Sequence, residues 1–80
     1  MLMMPLTFSR TGDEVLIARV GGSEEIRKHL EDLGFVTGDV VRVVSNSGDG
    51  NIIVNLKGAR LAITSEMARH IQISPKEQTQ

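Results

Sequence analysis

The feature of this sequence that most constrains its fold is the close spacing of its glycines. Between Gly12 and Gly58 the eight glycines leave only short apolar segments, and most of them stand next to Asp, Asn, Ser or Thr. Such clusters are typical of turns, whereas long helices need an uninterrupted periodic segment. The chain therefore has room for several short strands but little room for long helices.

Short runs rich in β-branched residues predict five strands. They cover residues 14–20, 40–44, 52–56, 60–63 and 71–73. In the second of them Val41 and Val43 should point inward, because Arg42 lies on the opposite face of an alternating strand. Residues 47–51 tolerate positive φ and predict a hairpin turn, and residues 57–59 predict a tighter one.

One α-helix is predicted between the first two strands. Ser23 is a good N-cap, acidic residues follow it where the helix dipole favours them, and apolar residues then recur at helical spacing up to Leu33. Gly34 follows the last of these, where a left-handed residue commonly ends a helix. Residues 64–68 can form a single further helical turn capped by a hydroxyl.

The pattern describes one mainly β domain that gains by curling into a small barrel. Closure would remove the exposed strand edges that otherwise recruit other chains. At 80 residues the chain can hold one compact core. We expect that core to extend over residues 6–73 and the polar residues 74–80 to form a flexible tail.

Composition excludes several classes of protein. The absence of cysteine excludes disulfides, thiolate zinc sites and thiol catalysis, which agrees with a reducing cytoplasm. The apolar residues 1–4 lack a basic region before them and are too few to span a membrane, so neither a signal peptide nor membrane insertion is expected. We therefore expect a cytoplasmic protein.

Nucleic acid is not an expected partner. The chain has no Trp or Tyr on which bases could stack, and its two aromatic residues, Phe8 and Phe35, are expected to be buried. Nine basic residues are offset by ten acidic ones. A basic stripe on outer strand faces remains, and it serves either binding or the protection of strand edges. It comprises Arg19, Arg42, Lys57 and Arg60.

Residues 27–41 resemble the signature of the FeoA family. In that signature a helix ends in Leu-Gly, an apolar pair follows, and a second glycine, here Gly38, opens a strand. The resemblance extends over residues 6–73. Further matching positions are Gly12, Gly48, Asp49, Gly58, Ala62, Ala68, Ile71 and Ile73. Gly50 departs from the pattern, because the family often has Pro there, and this should loosen the hairpin tip.

The resemblance implies an SH3-like β-barrel of about five strands, with one α-helix after the first strand and a helical turn before the last. It implies a non-catalytic cytosolic accessory protein for ferrous iron transport that docks on the cytoplasmic part of the FeoB permease. The chain lacks a phosphate-binding Gly-x-x-x-x-Gly-Lys-Ser/Thr loop, so it is not itself the GTPase. Self-association stays open.

A similar domain forms the C-terminal part of DtxR-type iron-dependent repressors. The alternative function is therefore a regulatory domain that responds to a divalent transition metal or to a repressor-type partner. No helix-turn-helix precedes the predicted barrel, so the DNA-reading half of such a repressor is missing from this sequence.

Two segments are candidates for the partner contact. The turn after the helix is the first, because apolar residues in a turn leave apolar area exposed, which often marks an interface. It comprises Leu33, Gly34, Phe35, Val36 and Thr37. In the alternative interpretation, Phe35 and Val36 seal the barrel. The second segment is the hairpin tip with Gly48, Asp49 and Gly50.

A metal site on the helix is a further hypothesis. His29 and Asp32 lie three residues apart and can share a face with Glu25 one turn earlier, which offers a nitrogen and two oxygens to Fe(II) or another divalent ion. The simpler interpretation is a solvated helix face with charge pairs. No cofactor is required by either interpretation.

Overall fold

A computed structural model describes residues 3–48 and 50–76 of the chain. Six antiparallel strands and two helices follow one another along it. The strands are β1 (Met4–Pro5), β2 (Glu14–Val20), β3 (Val40–Asn46), β4 (Asn51–Leu56), β5 (Ala59–Thr64) and β6 (Ile71–Pro75). The helices are α1 (Glu24–Leu33) and α2 (Ser65–Ala68), and a short 3₁₀ turn (Leu6–Phe8) follows β1. The mainly β architecture and both helices confirm the sequence prediction.

All six strands form one sheet in the order β1-β6-β2-β3-β4-β5. β1 was not predicted, because a two-residue strand has no periodic signal of its own. It exists through its pairing with β6, where Met4 faces Ile73. β6 is longer than predicted: Ser74 and Pro75, expected in the flexible tail, pair with Leu16 and Val15 of β2. Residues 77–80 of that tail lie outside the described residues.

The sheet curls without closing. Among the described strands, β1 and β5 stand at the two edges and do not pair with each other, so the predicted barrel is not completed by hydrogen bonds. α2, which follows β5, contacts the 3₁₀ turn that follows β1. This contact brings the two ends of the sheet together around a shared interior.

Alternation in the central strands places the core as predicted. Val41 and Val43 of β3 are fully buried, whereas Arg42 between them is exposed. β-bulges interrupt the pairing of β3 with β4 and of β2 with β6. In the part of the chain that the structure describes, fifteen apolar residues form one cluster. All strands except β1 contribute buried side chains to it, and Met4 of β1 packs against it.

The two aromatic residues differ in burial. Phe35 is fully buried in the core, as predicted, whereas Phe8 is 70% exposed, so the prediction for Phe8 was wrong. The 3₁₀ turn directs Leu6 into the core and leaves Phe8 over a surface groove that Met4 and Ile73 also line.

The tight turn between β4 and β5 has the form that hairpins prefer. Leu56 pairs with Ala59, and the two residues between them, Lys57 and Gly58, both have positive φ, of 54° and 84°. Two consecutive positive φ values define a type I′ turn, whose twist matches that of the strands. In the described part of the chain, no helix is long and apolar enough to cross a membrane.

Candidate docking surface

The end of α1 is fixed by a Schellman motif. Gly34 has a φ of 113°, its N–H donates to the Glu31 carbonyl at 2.9 Å, and the Phe35 N–H donates to the Leu30 carbonyl at 3.1 Å. Leu30 and Phe35 are both fully buried, which supplies the apolar contact that accompanies this motif. The chain therefore leaves the helix in one defined direction.

The turn that follows α1 is also fixed by backbone hydrogen bonds. The Asp39 N–H donates to the Val36 carbonyl at 3.1 Å, and Gly38 has a φ of 98° at the third position, as a type II turn requires. Two further bonds join this turn to β2: the Gly38 N–H donates to the Ile17 carbonyl at 2.8 Å, and the Ile17 N–H donates to the Asp39 carbonyl at 2.9 Å. The turn is thus an extension of the sheet.

Segment 33–40 exposes three large apolar side chains at the end of α1, in the turn and at the start of β3. Leu33 is 36% exposed, Val36 46% and Val40 38%. We refer to these three residues as the docking surface. None of the three belongs to the buried core cluster, and exposed apolar side chains on small proteins often mark an interface.

The structure separates the residues of the first predicted segment. Leu33, Val36 and Thr37 reach the surface, Gly34 is half-buried, and the Phe35 ring lies in the core. Phe35 therefore supports the segment from inside. Val40 was not among the predicted site residues. Its signal was present in the sequence, because it alternates with the inward Val41 at the start of a strand.

An ion pair borders the docking surface. The Lys57 Nζ lies 3.0 Å from the Asp39 Oδ2, so the turn between β4 and β5 is joined to the turn before β3. A Cβ placed on Gly34 would lie 3.3 Å from Leu56 Cδ2, which shows how closely the helix end packs on β4. These contacts fix the surroundings of the three apolar side chains.

The second predicted segment is the hairpin tip between β3 and β4. Gly48 is exposed with a φ of 80°, and Gly50 is half-buried with a φ of 119°. The Gly50 carbonyl accepts a hydrogen bond from the Ser65 N–H at 2.7 Å, which joins the tip to α2. Asp49 lies outside the described residues. Use of this tip in binding stays a prediction.

The hypothetical metal ligands stand on the exposed face of α1. Glu25, His29 and Asp32 are all exposed. Within residues 3–48 and 50–76, no group of three or more His, Asp or Glu side chains is placed to hold a metal ion. The structure therefore does not bring these three residues together as a donor set.

The predicted basic stripe divides into separate parts. Arg42 and Arg60 flank Asn55 in a row across β3, β4 and β5. Lys57 pairs with Asp39, as described above. Arg19 lies at the far end of β2, where it lines a different cavity.

A family model and a curated protein both match nearly the whole chain. A model of the family described as FeoA domain matches residues 4–75. "Putative Fe(2+) transport protein A" of Methanocaldococcus jannaschii is 28% identical over 75 residues, which cover 94% of this chain and 90% of that protein.

Solved structures share the fold. The FeoA protein from Chlorobium tepidum is 27% identical, with a TM-score of 0.82 over 96% of this chain and 74% of that one. An iron uptake regulatory protein (FeoA) is 25% identical, with a TM-score of 0.84 over 90% and 96% of the two chains. A manganese-dependent transcriptional repressor in complex with manganese is 22% identical, with a TM-score of 0.86, over 92% of this chain but 37% of its own. The last similarity concerns the fold alone.

Proposed function

Since this chain belongs to the FeoA domain family, we propose that it is a non-catalytic accessory protein of ferrous iron transport that docks on the cytoplasmic part of a FeoB-type permease. The similarity to "Putative Fe(2+) transport protein A" supports the role in iron transport. The protein acts in the cytoplasm, where that part of the permease is accessible. GTP hydrolysis belongs to the permease, since this sequence has no phosphate-binding loop of the P-loop type.

The docking surface carries this proposal. Leu33, Val36 and Val40 are apolar and exposed, and the backbone that bears them is bonded to β2 and to the end of α1. Binding through such a surface costs little conformational entropy, because the turn is ordered before the partner arrives. Apolar side chains of this kind form the centre of protein interfaces, with charged groups such as Lys57 at the rim.

Val36→Glu tests the proposal. Val36 is the most exposed of the three residues, so a charge there should leave the fold intact while it places a desolvated carboxylate in the interface. We expect affinity for the purified cytoplasmic domain of the permease, measured by isothermal titration calorimetry, to fall by at least about tenfold, the equivalent of ~1.4 kcal/mol. Val36→Leu should retain binding.

Phe8→Glu is the matched control. It places the same charge on another exposed apolar side chain, in the groove lined by Met4 and Ile73. We expect this variant to bind the permease domain as the unchanged protein does. If both glutamate variants bind normally, or if both lose binding alike, the docking surface is not the contact region. Thermal unfolding of each variant shows whether a loss of binding arises from unfolding.

A further inference from the structure

An open cavity of about 310 Å³ lies at the C-terminal end of β2. It is formed where the loop before α1 meets the loop before β6. Arg19 of β2 and Gln72 of β6, which are cross-strand neighbours, form one side. The lining also includes Gly22 of the loop before α1, and Arg69 and His70 of the loop before β6.

The two loops are fixed to each other. The Gly21 N–H donates to the His70 carbonyl at 2.8 Å. A Cβ placed on Gly22 would lie 3.1 Å from both Cγ and Nδ1 of the His70 ring, so the imidazole lies directly against the glycine. The His70 N–H in turn donates to the Met67 carbonyl at 3.1 Å, and the Arg69 N–H to the Ser65 carbonyl at 3.0 Å. The cavity walls therefore exist before any ligand binds.

The charge of the cavity has one sign. Among the residues that the structure describes, each ionisable residue that lines it is Arg or His, in a chain whose formal net charge is −1. Within the described residues, neither Arg19 nor Arg69 has a carboxylate within ion-pair distance. Glu24 and Glu25 begin α1 nearby but do not line the cavity. Two guanidinium groups without acidic partners are thus available to an anion.

We propose that this cavity binds a phosphoryl group. Each guanidinium offers a planar fork of N–H donors that matches two oxygens of one phosphate, and His70 and Gln72, which line the same cavity, offer further N–H donors. A phosphate presents oxygens on several sides and can use donors from several directions at once, whereas a carboxylate has two coplanar oxygens. The proposal is independent of docking on the permease, since it concerns other residues.

Two sources can supply this chemistry, a free phosphorylated molecule or a lipid headgroup. Met3, which is 53% exposed, lies beside the cavity and would suit the edge of a membrane. Inorganic pyrophosphate is the probe for the first source. Phosphatidylglycerol vesicles, compared with phosphatidylcholine vesicles in a sedimentation assay, are the probe for the second.

The test is an NMR titration of the ¹⁵N-labelled full chain with pyrophosphate at constant ionic strength. We expect saturable shifts of the Gly21, Gly22 and His70 amides. Arg19→Gln and Arg69→Gln should each weaken binding by about tenfold, as loss of a charge-assisted hydrogen bond implies. If vesicles bind instead of pyrophosphate, with the same dependence on both arginines, the phosphate source is lipid.

Arg60→Gln is the matched control, because it removes the same charge from an exposed arginine of β5 outside the cavity. The Kd of this variant for the probe should stay within about twofold of that of the unchanged protein, because salt screens the effect of a charge that lies outside the cavity. Equal losses in the variants of Arg19 and Arg60 would reduce the effect to general surface charge and overturn the proposal. An equal response to acetate, or no saturable binding of either probe, would also overturn it.

Discussion

At the scale of single residues, Gly34 occupies a position that suits only glycine. Its φ of 113° lies in the left-handed region, and a Cβ there would also press on Leu56 at 3.3 Å. Gly34 therefore combines a backbone requirement with a packing requirement. The docking surface depends on both, because Leu33 and Val36 stand on either side of this residue.

Gly34→Ala should lower the free energy of unfolding by more than the ~1–2 kcal/mol that a left-handed conformation alone costs an alanine. The excess comes from the contact with Leu56. Urea denaturation followed by far-UV circular dichroism measures the change.

Gly48→Ala supplies the comparison for that measurement. Gly48 also has a positive φ, of 80°, but no atom of the described residues lies within 4 Å of a Cβ built there. Its loss of stability reports the backbone cost by itself. Equal losses in the two variants would show that packing of the helix end against Leu56 contributes nothing.

At the scale of elements, the amide of Asn46 joins the end of β3 to the segment between β1 and β2. Its Nδ2 donates to the Ser9 carbonyl at 2.7 Å and to the Thr7 carbonyl at 3.2 Å. Its own N–H donates to the Thr11 hydroxyl at 3.1 Å. Asn46 therefore holds the segment between β1 and β2, which has little regular structure, in place through three hydrogen bonds.

Asn46→Ala should lower the free energy of unfolding by about 1–3 kcal/mol, because two part-buried carbonyls lose their donor. Amide hydrogen exchange should accelerate first at residues 7–11. Asn55→Ala is the matched control, since Asn55 is half-buried on β4 and none of the side-chain hydrogen bonds within the described residues involves it. Equal effects of the two substitutions on exchange at residues 7–11 would contradict this role of Asn46.

Local signals predicted those elements whose cause is local. The Ser23 hydroxyl accepts from the Ile26 N–H, and Gly34 ends the helix, just as the sequence indicated. β1 and the end of β6 escaped prediction because their cause is pairing between residues about 60 to 70 positions apart. The exposure of Phe8 depends on the direction of a 3₁₀ turn, which an apolar sequence does not encode.

The candidate site was also predicted in part from local sequence. Val36 and Thr37 were expected at the surface because they lie in a turn, and they are exposed. Leu33, which belongs to the same predicted segment, is exposed as well. Val40 lies at the start of β3, outside the turn from which the segment was predicted, although its alternation with the inward Val41 indicated an outward face. The metal hypothesis used helical spacing alone, which places side chains on one face but does not make them converge.

At the scale of the whole molecule, a single apolar cluster receives side chains from α1, α2 and nearly every strand. Phe35 is among the largest fully buried side chains in it. With one core and no second cluster beside it among the described residues, the domain should unfold in one cooperative transition.

Phe35→Ala should cost about 3–5 kcal/mol, a large part of the ~5–15 kcal/mol that stabilises a typical domain. We expect the transition to move as a whole, with helix and sheet signals lost together in far-UV circular dichroism and in amide exchange. Separate melting of α1, with the sheet unchanged, would contradict the single core.

The pairing of Met4 with Ile73 brings the two ends of the described chain side by side, about 5 Å apart across neighbouring strands. The first and last described strands of the domain thus lie next to each other on one side of the sheet. A short linker there, with new termini opened at the tip that contains Gly48, would give a circular permutant with the order of the sheet unchanged. Because the two ends are adjacent, such a domain can also be inserted into a surface loop of a larger protein without separating the two sides of that loop.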